Sequence, residues 1–107
     1  MEVRDIEPLQ LATRLMAGNL PHLIDVREEW EWNLARIENA RRIPLADFAK
    51  ASANLPHDEE IVLFCHHGVR SFMAAQFLVN HGFKSVGNLV GGIDRYSLEV
   101  DPAIPRY

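Results

Sequence analysis

Apolar positions along the chain switch between two spacings. Short apolar runs bounded by charged residues, Gly, Asn or Pro predict strands over residues 3–6, 22–26, 40–43, 60–65 and 85–89. Between them, apolar residues recur at helical spacing. The first predicted helix, over 9–17, is entered through Pro8 and stopped by Gly18-Asn19. A second runs over 45–55 and is closed by Pro56. A third covers 69–80, with Met73 and Phe77 four apart and Phe72 beside them, and ends at His81-Gly82. The last covers 93–99, after Gly91-Gly92. Residues 28–34 form one or two helical turns, and the tail over 100–107, with two prolines, is irregular. Ile61-Val62-Leu63-Phe64 shows no alternation, so it reads as a central parallel strand buried on both faces. Strand and helix alternate throughout. That order predicts an α/β sandwich with a mostly parallel sheet and right-handed crossovers.

In such sheets chemistry collects at the carboxyl ends of strands. Two ends carry polar groups straight after an apolar run: Asp25 to Arg27, and Cys65 to Ser71. The chain has 107 residues, which fits one domain over 1–107 and excludes an eight-fold barrel. A single cysteine excludes an internal disulfide framework, a CxxC redox pair and any multi-thiolate metal site. The net charge of −4 argues against non-specific nucleic-acid binding. No apolar run approaches the ~18 residues of a membrane span. The charged start, Met1 to Asp5, has no signal-type apolar stretch after it, so a cytoplasmic, reducing location is expected.

Cys65-His66-His67-Gly68-Val69-Arg70-Ser71 joins the central strand to a helix. A tight strand-to-helix loop turns successive backbone N–H groups into one concavity, and the helix start adds unpaired donors. Gly68 supplies a positive φ where the loop needs one. The thiol of Cys65 is expected at the rim of this cradle, with Arg70 turned inward and the thiolate favoured as a nucleophile. Taken alone, a cysteine ending a buried strand is a small hydrophobe, and His66 and His67 are solvated loop residues. No metal site is expected, because adjacent Cys65, His66 and His67 do not reach one tetrahedral ion together.

With these residues in view, the sequence resembles the single-domain rhodanese family. Four blocks carry the resemblance in order: His22-Leu23-Ile24-Asp25-Val26-Arg27-Glu28; Ala35-Arg36-Ile37-Glu38-Asn39-Ala40 with Ile43-Pro44-Leu45; the Cys-x4-Arg-Ser loop of Cys65 to Ser71; and Leu89-Val90-Gly91-Gly92-Ile93-Asp94. The resemblance implies a three-layer α/β/α sandwich around a five-stranded sheet, and sulfur transfer as the activity. Cys65 would carry a persulfide, the backbone of His66 to Ser71 would bind it, and Arg70 would face the donor's oxyanion. Asp25 and Arg27 would support the loop from behind. The implied donor is thiosulfate or a persulfide, and the acceptor is cyanide or a thiol, including a protein thiol. No cofactor is implied, and the chain is expected to act as a monomer or weak dimer.

Four positions depart from the family pattern. Ala35-Arg36 replaces Gly-His, Asn39 replaces a glycine, and Tyr96 stands where Trp is common. Asn tolerates left-handed backbone, so the turn at Asn39 is expected to survive. Related phosphatases and arsenate reductases have five residues between Cys and Arg. Here four intervene, which makes a narrower cradle suited to one sulfur atom. The remaining alternative is a binding module, with Trp30-Glu31-Trp32 as an exposed interface or with one Trp anchoring the short helix in the core.

Overall fold

The computed structural model describes residues 2–107. Five parallel strands lie in the order β1-β5-β4-β2-β3: β1 (Arg4–Ile6), β2 (His22–Asp25), β3 (Arg41–Arg42), β4 (Ile61–Phe64) and β5 (Val86–Leu89). The helices are α1 (Pro8–Met16), α2 (Glu29–Leu34), α3 (Phe48–Ala51), α4 (Val69–Asn80) and α5 (Gly92–Glu99). Pro8 takes the first helical position of α1, where a missing N–H costs nothing.

β4 is central, and its four residues are all buried. Ile61, Leu63 and Cys65 face one core, with Phe48 of α3 and Ala74, Ala75 and Leu78 of α4. Val62 and Phe64 face the other, with Leu11 of α1 and Ile93 and Tyr96 of α5. The strand lacks polar alternation because helices cover both of its faces, which gives the three-layer α/β/α sandwich. Among the described residues no helix is long and apolar enough to cross a membrane.

Three expectations need correction. The helix expected over 45–55 is one short α-helix, α3, between 3₁₀ turns at Leu45–Asp47 and Ser52–Asn54. Asp47, Ser52 and Asn54 are polar residues of low helix propensity. Ser52 Oγ donates to the Ala49 carbonyl, and such bonds favour tight turns over a continuous helix. On α4, Phe72 and Met73 are exposed, and the buried side is Ser71, Ala74, Ala75 and Leu78. Small residues there let the helix lie close against the sheet. The strand expected over 40–43 shrinks to Arg41–Arg42. The tail has no regular structure, as expected, but Ile104 is buried in the second core and Tyr107 reaches the site.

Candidate functional site

The carboxyl ends of β2, β4 and β5 converge on the loop that follows Phe64. Cys65 is 1% exposed, so its thiol lies at the floor of the loop and not at a rim. The amide of Gly68 donates to Cys65 Sγ at 3.1 Å and that of Ser71 at 3.4 Å. Gly68 has φ 103° and caps α4, a conformation that side chains rarely adopt. Val69 and Arg70 belong to the first turn of α4, where amides have no intrahelical acceptor. The Val69 side chain points to solvent, so any contribution it makes is through its backbone.

The loop's carbonyls are drawn away from the sulfur. At the start of α5, the amide of Ile93 donates to the Cys65 carbonyl at 2.9 Å and that of Asp94 to the His66 carbonyl at 3.2 Å. Turning these carbonyls toward α5 leaves the N–H side of the loop facing inward. Gly92 makes the approach possible, because a Cβ there would lie 2.5 Å from the Cys65 carbonyl oxygen and closer still to that of His66.

Behind the loop runs a chain of charges. Asp25 and Arg27, both 0% exposed, are joined by Arg27 Nε and Nη2 donating to the Asp25 carboxylate at 2.8–3.1 Å. Arg27 Nη1 donates to the Tyr107 hydroxyl at 2.9 Å, and that hydroxyl donates to Glu31 Oε2 at 2.6 Å. Glu31 receives both terminal nitrogens of Arg70, at 2.6 and 2.8 Å. Burial pushes the Glu31 carboxyl up, but hydrogen bonds from Arg70, Tyr107 and the Glu28 amide outweigh it and hold it at about 2. Burial and the bond to Glu31 push Tyr107 up to about 12. The same carboxylate raises Arg70 further. Arg70 is therefore tied to a carboxylate and is not a free cation facing the sulfur.

The expected Trp30-Glu31-Trp32 patch is reversed at its centre. Glu31 is 2% exposed, while Trp30 is 56% exposed and meets Tyr107 edge-on. Neither Trp is fully buried. The glutamate turns inward because Arg70 and Tyr107 supply its partners.

His66 is half-buried, its ring stacked between Tyr107 at 3.9 Å and His67 at 3.8 Å. Its Nε2 is buried without a hydrogen-bond partner. Burial first, and His67 second, hold its pKa below the ordinary histidine value. His67 is exposed, 3.8 Å from Asp94. Ligand atoms of His66, His67 and Asp94 lie within 4.8 Å of one another. The two imidazoles are stacked, and Asp94 is already paired with Arg106 at 2.9 Å.

Four contributors were missed from the sequence: Glu31, Gly92, Asn88 and Tyr107. Asn88 lies in β5 opposite Leu63, accepts from Ser71 Oγ at 2.6 Å and donates through Nδ2 to the Gly68 carbonyl at 3.1 Å. A polar residue inside an otherwise buried strand was the available signal.

Comparison with known proteins agrees with this architecture. The rhodanese-like domain family matches residues 7–99, and the chain belongs to that family. The rhodanese-like/PpiC domain-containing protein 12 of Arabidopsis thaliana is 36% identical over 112 residues; the match covers 98% of this chain and 38% of that protein. The chain thus spans well under half of that relative's length. Thiosulfate sulfurtransferase GlpE of Vibrio cholerae is 31% identical over 85 residues, covering 79% of this chain and 80% of the relative. The crystal structure of a rhodanese-related protein from Thermoplasma volcanium superposes with a TM-score of 0.83 at 28% identity, covering 97% of this chain and 99% of that one.

Proposed function

We propose that this rhodanese-like chain transfers sulfane sulfur through Cys65. The observation that carries the reading is the convergence of the Gly68 and Ser71 amides on Sγ, inside a loop with four residues between Cys65 and Arg70. In the first half-reaction the Cys65 thiolate attacks the outer sulfur of thiosulfate or of a persulfide. A new S–S bond forms, the donor's own S–S bond breaks, and sulfite or a thiolate leaves with the electron pair. In the second, cyanide or a thiolate attacks the outer sulfur of the Cys65 persulfide, and the Cys65 thiolate leaves.

The buried position of Sγ suits this division. The outer sulfur stands one S–S bond, about 2.05 Å, nearer the surface. An acceptor therefore reaches it without touching Sγ. Backbone amides aimed at an anion supply stabilisation that needs no reorganisation during reaction. The N–H groups of Arg70 not used by Glu31 remain for a donor's oxyanion. Because the chain has one cysteine, it holds no second thiol to resolve the persulfide, and the acceptor is external to it. Asp25 and Arg27 take no part in bond making; they fix the floor behind the loop.

Intact-mass spectrometry after thiosulfate treatment tests this. The expected result is a gain of one sulfur atom, removed by cyanide and absent from Cys65→Ala. No gain with thiosulfate or with an organic persulfide, in folded protein, refutes the reading.

A further inference from the structure

The buried polar atoms around Cys65 form a closed circuit that is one proton short once the thiol ionises. Gly68 N donates to Sγ, Ser71 Oγ lies 3.3 Å from Sγ and 2.6 Å from Asn88 Oδ1, and Asn88 Nδ2 donates to the Gly68 carbonyl at 3.1 Å. The Gly68 carbonyl only accepts, so it fixes which end of the Asn88 amide faces it. Oδ1, which also only accepts, must then face Ser71. Ser71 has one hydroxyl proton and two acceptors in reach.

We infer that Asn88 is a positioning residue that competes with Cys65 for the Ser71 hydroxyl proton. In the thiol state all demands are met: the S–H donates to Ser71 Oγ, and Ser71 donates to Asn88. Once the thiol has lost its proton to water, the charged Sγ is stabilised by a third donor beside the Gly68 and Ser71 amides, and the Ser71 hydroxyl serves it only by leaving Oδ1 unpaired. Asn88 thereby favours the protonated thiol, and Ser71 favours the thiolate. In the persulfide, Sγ is divalent and uncharged, so Ser71 returns to Asn88. When an acceptor takes the outer sulfur, the electron pair of the broken S–S bond stays on Sγ, and the hydroxyl swings back toward it. This last step rests on the sulfur-transfer reading; the competition for the proton does not.

The test uses the thiol alone. Iodoacetamide alkylation rates are measured from pH 5 to 9 for wild type, Asn88→Ala, Asn88→Leu, Ser71→Ala and the Ser71→Ala/Asn88→Ala double variant. With one cysteine in the chain, each rate reports a single site. The charged and titratable groups flanking the loop are Arg70 with Glu31 of α2, Asp25 with Arg27 and Tyr107 behind it, His66, His67, and Asp94 with Arg106; every variant keeps them. Removing Oδ1 is expected to speed alkylation about tenfold on the acidic limb, and removing the hydroxyl to slow it about tenfold, each the loss of roughly one charge-assisted bond. In the double variant the Asn88 substitution is expected to add nothing.

A slower or unchanged Asn88→Ala rate overturns the proposal. So does an equal acceleration by Asn88→Ala in the Ser71→Ala background, which marks mere loosening of the loop. Asn88→Leu keeps the side-chain volume if the alanine variant is unstable. Should both Asn88 variants fail to fold, an unchanged profile for Ser71→Ala still overturns the proposal, and a slowed one supports it. None of these outcomes depends on whether sulfur is transferred.

Discussion

Glu31→Gln separates the charge of the carboxylate from its shape. Glu31 is buried, takes two hydrogen bonds from Arg70 and one from Tyr107, and accepts the Glu28 amide at 3.1 Å. A glutamine of the same size presents an amide –NH₂ to groups that are themselves donors, and leaves the Arg70 charge without its partner. The carboxyl is held at about 2 where a free glutamate titrates near 4.5. At ~1.4 kcal/mol per factor of ten in proton affinity, that gap is worth about 3 kcal/mol, at the low end of the roughly 3–5 kcal/mol for breaking a buried pair because the Arg70 side chain is a third exposed. The folded state binds the Glu31 proton more weakly than the unfolded chain does. This stabilisation is therefore present in full above about pH 4.5 and is lost as pH falls toward 2. Urea unfolding of both proteins from pH 7 down to pH 2 reads the effect. The wild type is expected to be more stable by about 3 kcal/mol at pH 7, with the gap closing below pH 4.5. Glu60, paired with Arg4 and Arg14 and also held at about 2, is present in both proteins and cancels in the difference. A gap that stays constant between pH 5 and pH 2, or no gap at pH 7, refutes the reasoning.

Gly92→Ala places a Cβ against the Cys65 and His66 carbonyls at φ 63°, and overpacking plus backbone strain is expected to cost about 2–5 kcal/mol. Thermal unfolding measures that cost, and sulfur uptake by mass spectrometry is expected to fall with it because the loop carbonyls are displaced. Asn39 has φ 72°, so Asn39→Val is expected to lower stability by about 1–2 kcal/mol while Asn39→Gly leaves it unchanged or raises it; denaturant midpoints decide. His66→Ala and His67→Ala remove rim rings and no amide donor to Sγ. Each is expected to slow cyanide-dependent turnover by less than about tenfold, whereas loss of an oxyanion-hole donor costs about a hundredfold or more. Abolished turnover in either histidine variant assigns its side chain a direct chemical role.

The parts of the fold visible in the sequence are those set by neighbours close along the chain. The unalternating Ile61–Phe64 run announces a strand covered on both faces, and Gly68 announces the positive φ that caps α4. Asn39 keeps the left-handed turn that a glycine usually serves. What the sequence hides depends on partners far away in the chain. In Glu28-Glu29-Trp30-Glu31-Trp32, local polarity argues for burying a tryptophan. The structure buries Glu31 because Arg70 and Tyr107, 39 and 76 residues away, satisfy it. The ion pair of Arg70 with Glu31 is likewise invisible from the loop sequence. Asn88 and Gly92 escaped for the same reason, since their meaning lies in the carbonyls of Gly68, Cys65 and His66.

Pairing of charges decides what faces the sulfur. Arg27 is closed by Asp25, Arg70 by Glu31 and Arg106 by Asp94. Each guanidinium near the loop is thus matched by a carboxylate, and burial holds His66 toward its neutral form. The donors that reach Sγ without a counter-charge are the Ser71 hydroxyl and two main-chain amides, the amides fixed by α5 on one side and by the start of α4 on the other. Amides do not titrate in the physiological range, and their dipoles are already oriented before any anion forms. For a carrier of sulfane sulfur this has a consequence. The persulfide would be held with similar strength across neutral pH, and its release would be set by the arrival of a nucleophile rather than by a proton. Trp30, Tyr107, His66 and His67 form a stacked aromatic and imidazole rim beside the loop, and among the described residues none of them hydrogen-bonds Sγ.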